Sequence, residues 1–363
     1  MEKKKINVGI LFGGRSAEHE ISLQSAKNIL SSLDRKKYNP VLIGIDKSGV
    51  WRLYDEANFL LNENDPIKIK LNTSEHTTAL IPGSNGALSN TTSLSLDVVF
   101  PALHGPFGED GTIQGILRLA NIPFVGANIL GSAIGMDKDV MKRLLRDANI
   151  PIAKFITLNF GEEIPSYESV QKNIGIPCFI KPANLGSTIG VGKAHNKIEY
   201  LQNIQNASMY DSKIIIEEYI KGREIECAVL GNESPIASIV GEIIPLREFY
   251  SYEAKYIDKE GAYVEIPAKI SDELIEKVHA IAIKTFKTLS CEGLGRVDMF
   301  LTDKNEIIVN EINTMPGFTK ISMYPKLWEA SGISYTELIS RLIDLAMERF
   351  KKEQMIQTHY ALD

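Results

Sequence analysis

Apolar residues in this chain follow two rhythms, and the changes between them mark out its elements. INVGILFGG, at residues 6–14, is a short apolar run closed by glycines, and it predicts a buried strand. EISLQSAKNILSSL follows with the spacing of an amphipathic helix. PVLIGID and LDVVFPAL read as two further strands. This alternation predicts an α/β domain on a doubly wound parallel sheet, which binds ligands beyond the carboxyl ends of its strands. Two polar clusters fall at such ends: Gly13-Gly14-Arg15-Ser16-Ala17-Glu18-His19, and His104-Gly105-Pro106-Phe107-Gly108-Glu109-Asp110-Gly111. Pro82 to Ser95 is rich in Gly, Asn, Ser and Thr and reads as a surface loop.

The middle of the chain changes style. Asp137 is placed to cap a helix, DKDVMKRLLRDAN, that stops before Pro151. GIPCFIKP is a short strand, and ANLGSTIGVGKA is a glycine-rich loop leading into another. Gly186, Gly190 and Gly192 let backbone N–H groups approach phosphates, and Ser187 and Thr188 add hydroxyls. A glycine-rich hairpin is weak evidence alone, but Lys181 immediately before it supplies a cation for phosphate, and Lys138 is a second candidate. KIIIEEYIKGREIECAVLG then reads as strand, turn around Gly222, and strand. Its backbone from Glu218 to Ile220 suits an adenine edge and Glu224 suits ribose hydroxyls, although acids at an ordinary strand end give the same pattern.

The densest chemical signal is GRVDMFLTDKNEIIVNEINTMPG. Two apolar runs flank Thr302-Asp303-Lys304-Asn305, which predicts a β-hairpin. A turn centred between Lys304 and Asn305 sets Asp298 opposite Glu311 and Arg296 opposite Asn313, all four on one face. Opposed carboxylates need a positive partner, and a hard oxygen set of this kind suits magnesium held jointly with phosphates. A solvated polar face is the plainer alternative. The run into Met315-Pro316-Gly317, a loop suited to close ligand approach, favours the metal.

Length and charge narrow the field. A chain of 363 residues is long enough for two or three domains. A net charge of −6, without basic runs interleaved with aromatics, argues against nucleic acid as a partner. No apolar run approaches the roughly 18 residues of a membrane span, and the start has no signal-peptide pattern. Cys178, Cys227 and Cys291 lie far apart in apolar contexts and read as reduced core residues of a cytoplasmic protein. GGRSAEHE lacks the G-x-G-x-x-G fingerprint, so a dinucleotide enzyme is a poor fit.

Taken together, FGGRSAEHEISL, LHGPFGEDGTIQG, GMDKDVMK, FIKPANLGSTIGVG, IIIEEYIKGREIE, FYSYEAKY, GRVDMF and VNEINTMPGFTKISMYPKLW resemble the ATP-grasp superfamily and, within it, the D-alanine–D-alanine ligase family. They occur in family order from near residue 10 to residue 328. The resemblance implies an N-terminal substrate-binding α/β domain over 1–136. A two-lobed ATP-grasp domain with antiparallel sheets follows over 137–220 and 221–363, with a mobile loop at 247–262.

The activity implied is ATP-dependent ligation of two D-alanine molecules through a D-alanyl phosphate, for peptidoglycan precursor synthesis. A D-alanine–D-serine ligase is the sibling alternative. By the same resemblance, Asp298, Glu311 and Asn313 hold two magnesium or manganese ions. Lys138, Lys181 and Lys255 meet ATP phosphates, the loop of Gly186, Ser187 and Thr188 closes over them, and Glu218, Ile220 and Glu224 take adenine and ribose. Glu18 binds the first ammonium, linked to Ser187 and Tyr256, with His104 and Glu109 nearby. Arg296 and the Gly317 N–H stabilise the oxyanion, and Ser322 with its adjoining backbone receives the second carboxylate. Met323 stands where leucine is common and is expected to trim the substrate pocket, as is Phe107. A homodimer is also implied.

Overall fold

The computed structural model describes residues 4–91, 94–245 and 262–357. Fifteen strands are described: β1 (Ile6–Gly13), β2 (Tyr38–Ile45), β3 (Trp51–Tyr54), β4 (Leu60–Leu61), β5 (Lys70–Leu71), β6 (Val98–Pro101), β7 (Phe155–Asn159), β8 (Cys178–Pro182), β9 (Gly192–Ala194), β10 (Lys213–Glu218), β11 (Gly222–Gly231), β12 (Ile236–Pro245), β13 (Ala262–Glu265), β14 (Gly293–Thr302) and β15 (Ile307–Asn313). The helices are α1 (His19–Ser32), α2 (Thr112–Leu119), α3 (Ile129–Met136), α4 (Lys138–Asp147), α5 (Tyr167–Asn173), α6 (Lys197–Ala207), α7 (Asp272–Thr288), α8 (Met323–Ala330) and α9 (Tyr335–Glu353).

The first sheet runs β3-β2-β1-β6. β1 pairs in parallel with β2 and with β6, while β3 is an antiparallel edge beside β2. Alternation along β1 feeds two cores. Val8, Ile10 and Phe12 pack with Leu23, Ala26 and Ile29 of α1 and with Leu338 and Leu342 of α9. Leu11 points the other way, toward Ile113 and Leu117 of α2. Cover on both faces is the doubly wound arrangement that the sequence predicts. Gly13 ends β1 with a positive φ of 92°, and a Cβ there would lie 2.2 Å from the Ile45 carbonyl oxygen, so only glycine fits. This turn delivers Glu18 to the start of α1.

The second sheet runs β7-β10-β8-β9 and the third β13-β12-β11-β14-β15, with every pairing antiparallel. The second encloses its own small core of Ile180, Ile214, Ile216, Tyr200 and Ile204. Met141 and Leu145 of α4 pack instead with Ile225, Val297, Phe286 and Ile312, the core beneath the third sheet. β10 and β11 therefore belong to different sheets, joined by the short link Tyr219–Lys221. Asp137 caps α4 as the sequence implies, its carboxylate accepting from the N–H groups of Asp139 and Val140 at 3.1 Å each. No helix among the described residues is long and apolar enough to cross a membrane.

Candidate active site

At the carboxyl end of β1, Ser187 from the glycine-rich loop donates its hydroxyl to Glu18 Oε1. The link joins the first sheet's domain to the loop after β8. His104, 3% exposed, lies beyond Glu18. Its Nδ1 is 3.1 Å from the Met315 carbonyl oxygen and 3.5 Å from Glu109 Oε1, and a carbonyl can only accept, so Nδ1 carries a proton. Nε2 meets Ser25 Oγ at 2.9 Å. Burial alone would lower the imidazole pKa, but Glu109, then Glu18 and the Met315 carbonyl, raise it above 6.5. Ser25 Oγ also accepts from the Phe318 N–H at 3.2 Å, which ties the loop after β15 to α1.

Lysines line the other side. Lys138, 7% exposed, donates from Nζ to the Leu185 carbonyl at 2.7 Å and lies 3.4 Å from Glu311 Oε2. Lys181 Nζ reaches Asn310 Oδ1 at 3.4 Å and Glu217 Oε2 at 2.5 Å. The other oxygen of Glu217 pairs with Lys142. Although burial pushes the Glu217 carboxyl up, Lys142 and Lys181 outweigh it and hold the pKa below its ordinary value. Between the lysines, Ser187 and Thr188 adopt left-handed backbone, φ 54° and 63°, as does Gly190 at 69°. Two consecutive non-glycine residues in that region store strain of about 1–3 kcal/mol each, which is characteristic of ligand-clamping loops. Gly192 serves packing instead, since Asn203 occupies the position of its missing Cβ.

The hairpin of β14 and β15 has the predicted register where it matters, with Asp298 opposite Glu311 and Arg296 opposite Asn313. The turn itself differs from the prediction. Met299 pairs with Val309 and Thr302 N bonds to Glu306 O, so the turn centres on Lys304, one-half residue off the expected point. A bulge at Asn310 absorbs the difference. It turns both Asn310 and Glu311 toward the lysines while Val309 and Ile312 stay in the core. Asn313 Nδ2 donates to Asp298 Oδ2 at 3.0 Å.

Arg296 is held by two carboxylates. Its Nε and Nη2 grip both oxygens of Asp298 at 2.7 Å, and Nε lies 2.8 Å from Glu226 Oε2. Glu226 sits opposite Asp298 on β11. Burial would lower the guanidinium pKa, but Asp298, Glu226 and Glu311 raise it further above its ordinary range. Arg296 and Asp298 thus form one bidentate pair in this structure. They share a strand face two residues apart, and Glu226 adds a second carboxylate.

Farther along, Thr319 N and Oγ1 meet Ser322 Oγ at 3.0 and 2.8 Å, and a Cβ on Gly317 would lie 2.7 Å from that hydroxyl. Gly317 and Ser322 therefore share one spot. Contacts run from Glu311 through Lys138 to the Leu185 carbonyl and, two residues on, from Ser187 to Glu18, while His104 meets the Met315 carbonyl just after β15.

Family models for the D-ala D-ala ligase N-terminus and C-terminus match residues 7–127 and 144–344. The D-alanine–D-alanine ligase of Oceanobacillus iheyensis is 54% identical over 362 residues, covering 98% of each chain. The chain belongs to the D-alanine–D-alanine ligase family. Among solved structures, the ligase from Coxiella burnetii superimposes with a TM-score of 0.85 at 37% identity, covering 97% of both chains. The VanG D-Ala:D-Ser ligase from Enterococcus faecalis gives 0.84 at 35% identity, covering 94% of this chain and 100% of that one.

Several residues of this ligase site escaped the sequence reading, and others read differently. Glu226, Glu217 and Lys142 were not singled out, yet Glu226 pairs with Arg296, Glu217 with Lys181, and Lys142 with Glu217. Lys142 follows Lys138 by four positions, one helical turn on the same face, and Glu226 follows Glu224 by two, the same strand face. Those spacings were available signals. The Met323 side chain is 5% exposed and packs against Gly241. Phe107 lies under the Arg15 guanidinium at 5.3 Å, lining a cavity of about 280 Å³ with Gly14, Trp51 and Ile116. The Glu218 carboxylate accepts from the Lys154 N–H at 3.2 Å, and its own N–H donates to the Lys154 carbonyl at 2.9 Å. Ile220 falls in the link between sheets, and Glu224 opposes Phe300 on β14. Lys255 and Tyr256, with the loop 247–261, lie outside the described residues.

Proposed function

We propose that the chain uses ATP to join two D-alanine molecules, activating the first as D-alanyl phosphate, and that it supplies the dipeptide for peptidoglycan precursors. The observation that carries the reading is the chain of contacts that joins an acidic end at Glu18, with Glu109 beside His104, through Ser187 and Leu185 to a phosphate-suited basic end at Lys138 and Lys181. Glu18 takes the ammonium of the first D-alanine, and the Lys138 and Lys181 cations draw the triphosphate against its carboxylate. A carboxylate oxygen attacks the γ-phosphorus and ADP leaves. The second amine, having lost a proton, attacks the acyl carbon and phosphate departs. Arg296 and the Gly317 N–H carry the oxyanion formed on the way, and Ser322 with its backbone orients the second carboxylate.

Asp298, Glu311 and Asn313 form an all-oxygen donor set at opposed strand positions, which fits magnesium or manganese better than a softer metal. These residues would hold two such ions, which when bound neutralise charge on the transferred phosphoryl group. Glu218, Ile220 and Glu224 are assigned to adenine and ribose, Glu109 to His104, and Lys255 and Tyr256 to closure over the nucleotide. The three units are read as 1–136, 137–220 and 221–363. A cytoplasmic homodimer is proposed, supported by exposed Ile116, Leu119, Ile129 and Leu130 on the adjoining helices α2 and α3.

ADP release with magnesium and a panel of D- and L-amino acids tests the assignment. D-alanine alone is expected to support turnover, with D-alanyl-D-alanine identified by mass. Faster ADP release on adding D-serine, with a mixed dipeptide as product, would move the chain to the class of the VanG relative. No ADP above background with D-alanine would end the ligase reading.

A further inference from the structure

Behind the phosphate-facing lysines lies a third that no ligand can touch. Lys142 on α4 is 0% exposed, and its ammonium pairs with Glu217 Oε1. Glu217, on β10 and 5% exposed, turns its other oxygen to Lys181 Nζ on β8 at 2.5 Å. One carboxylate is thus shared by two cations from separate elements. Burying a lysine costs free energy that a hydrophobic residue of similar size would avoid, so its presence calls for a role other than stability. Burial draws the Lys142 pKa down even with Glu217 in contact.

The role follows from charge. A carboxylate on Lys181 cancels the cation that is to meet a triphosphate, and it repels the triphosphate as well. A second lysine on the same carboxylate removes both effects and leaves the group with a net positive charge. We propose that Lys142 is a positioning residue for ATP, neutralising Glu217 from behind so that Lys181 keeps its charge for the phosphates. This rests on the reading of Lys181 as a phosphate ligand. Lys142 also fixes which oxygen of Glu217 is left for Lys181, and so holds the Lys181 side chain along one direction.

A charge-rescue cycle on the full chain tests the proposal by KM for ATP, KM for D-alanine and calorimetric binding of a non-hydrolysable ATP analogue with magnesium. Lys142→Met is expected to raise KM for ATP about tenfold and leave KM for D-alanine unchanged. In a Glu217→Gln background the same substitution should change KM for ATP by less than about twofold, because the charge it balances is gone. That comparison does not use Lys142→Met alone and holds if that variant is insoluble. A tenfold effect persisting in the Glu217→Gln background would overturn the proposal, as would an unchanged KM in Lys142→Met. Lys181→Met separates the two readings. If it leaves ATP affinity intact, the phosphate assignment itself fails. If it weakens ATP while the cycle shows no rescue, only the role of Lys142 falls.

Discussion

Glu311→Ala will lower turnover with D-alanine and ATP by about three orders of magnitude while the thermal transition stays near that of the native chain. Glu311 is half-buried on the site face, opposite Asp298 and 3.4 Å from Lys138, so its removal opens no core. On the proposed reading, the loss comes from an oxygen ligand to phosphate-bound magnesium. Nucleotide affinity should therefore fall mainly with magnesium present, and the native and variant chains should bind alike in EDTA. Calorimetric titration with and without magnesium, beside steady-state ADP release, checks both parts. Native turnover in the variant would remove Glu311 from the metal site.

Arg296→Ala is expected to damage the fold as well as the chemistry. Its guanidinium sits between Asp298 and Glu226, with side-chain exposures of 17%, 16% and 6% for the three residues. Deleting the cation leaves two nearly buried carboxylates facing each other across β11 and β14, a cost of about 3–5 kcal/mol. Turnover among the folded molecules should fall about 10²- to 10³-fold as the oxyanion loses a donor. Lysine is a poor substitute, because its single ammonium cannot span both oxygens of Asp298. Adding Glu226→Gln should recover much of the stability and none of the turnover. Urea denaturation and kinetics on the single and double variants decide this, and a native-like midpoint for Arg296→Ala would mean that water, not Arg296, satisfies the pair.

Elements with a strong rhythm were legible in the sequence. β1, α1, β2 and β6 fall where the apolar pattern predicts them, and the antiparallel edge β3 was missed because four half-buried residues carry no clear period. The hairpin shows a register that came out right by a compensating route. Counting from a symmetric turn set Asp298 against Glu311, yet the turn lies elsewhere, and the bulge at Asn310 restores the pairing. A bulge adds a residue without changing local composition, so period-two reasoning does not detect it. The buried carboxylates were harder for a different reason. Glu217 sits in an apolar strand, and only lysines 75 and 36 positions away make its burial tolerable. Sequence spacing shows which face a side chain takes, but not which distant cation meets it. Arg296 illustrates the same limit, since its face was legible and its pairing with Glu226 of β11 was not.

The central claim is that the chain activates D-alanine as an acyl phosphate before a second amine attacks. Label transfer from D-alanine carrying ¹⁸O in its carboxylate tests it most directly, by mass analysis of the phosphate released during dipeptide synthesis. The account predicts one labelled oxygen in each phosphate, because the carboxylate oxygen that attacks the γ-phosphorus leaves with it. Dipeptide formed alongside unlabelled phosphate would contradict the account.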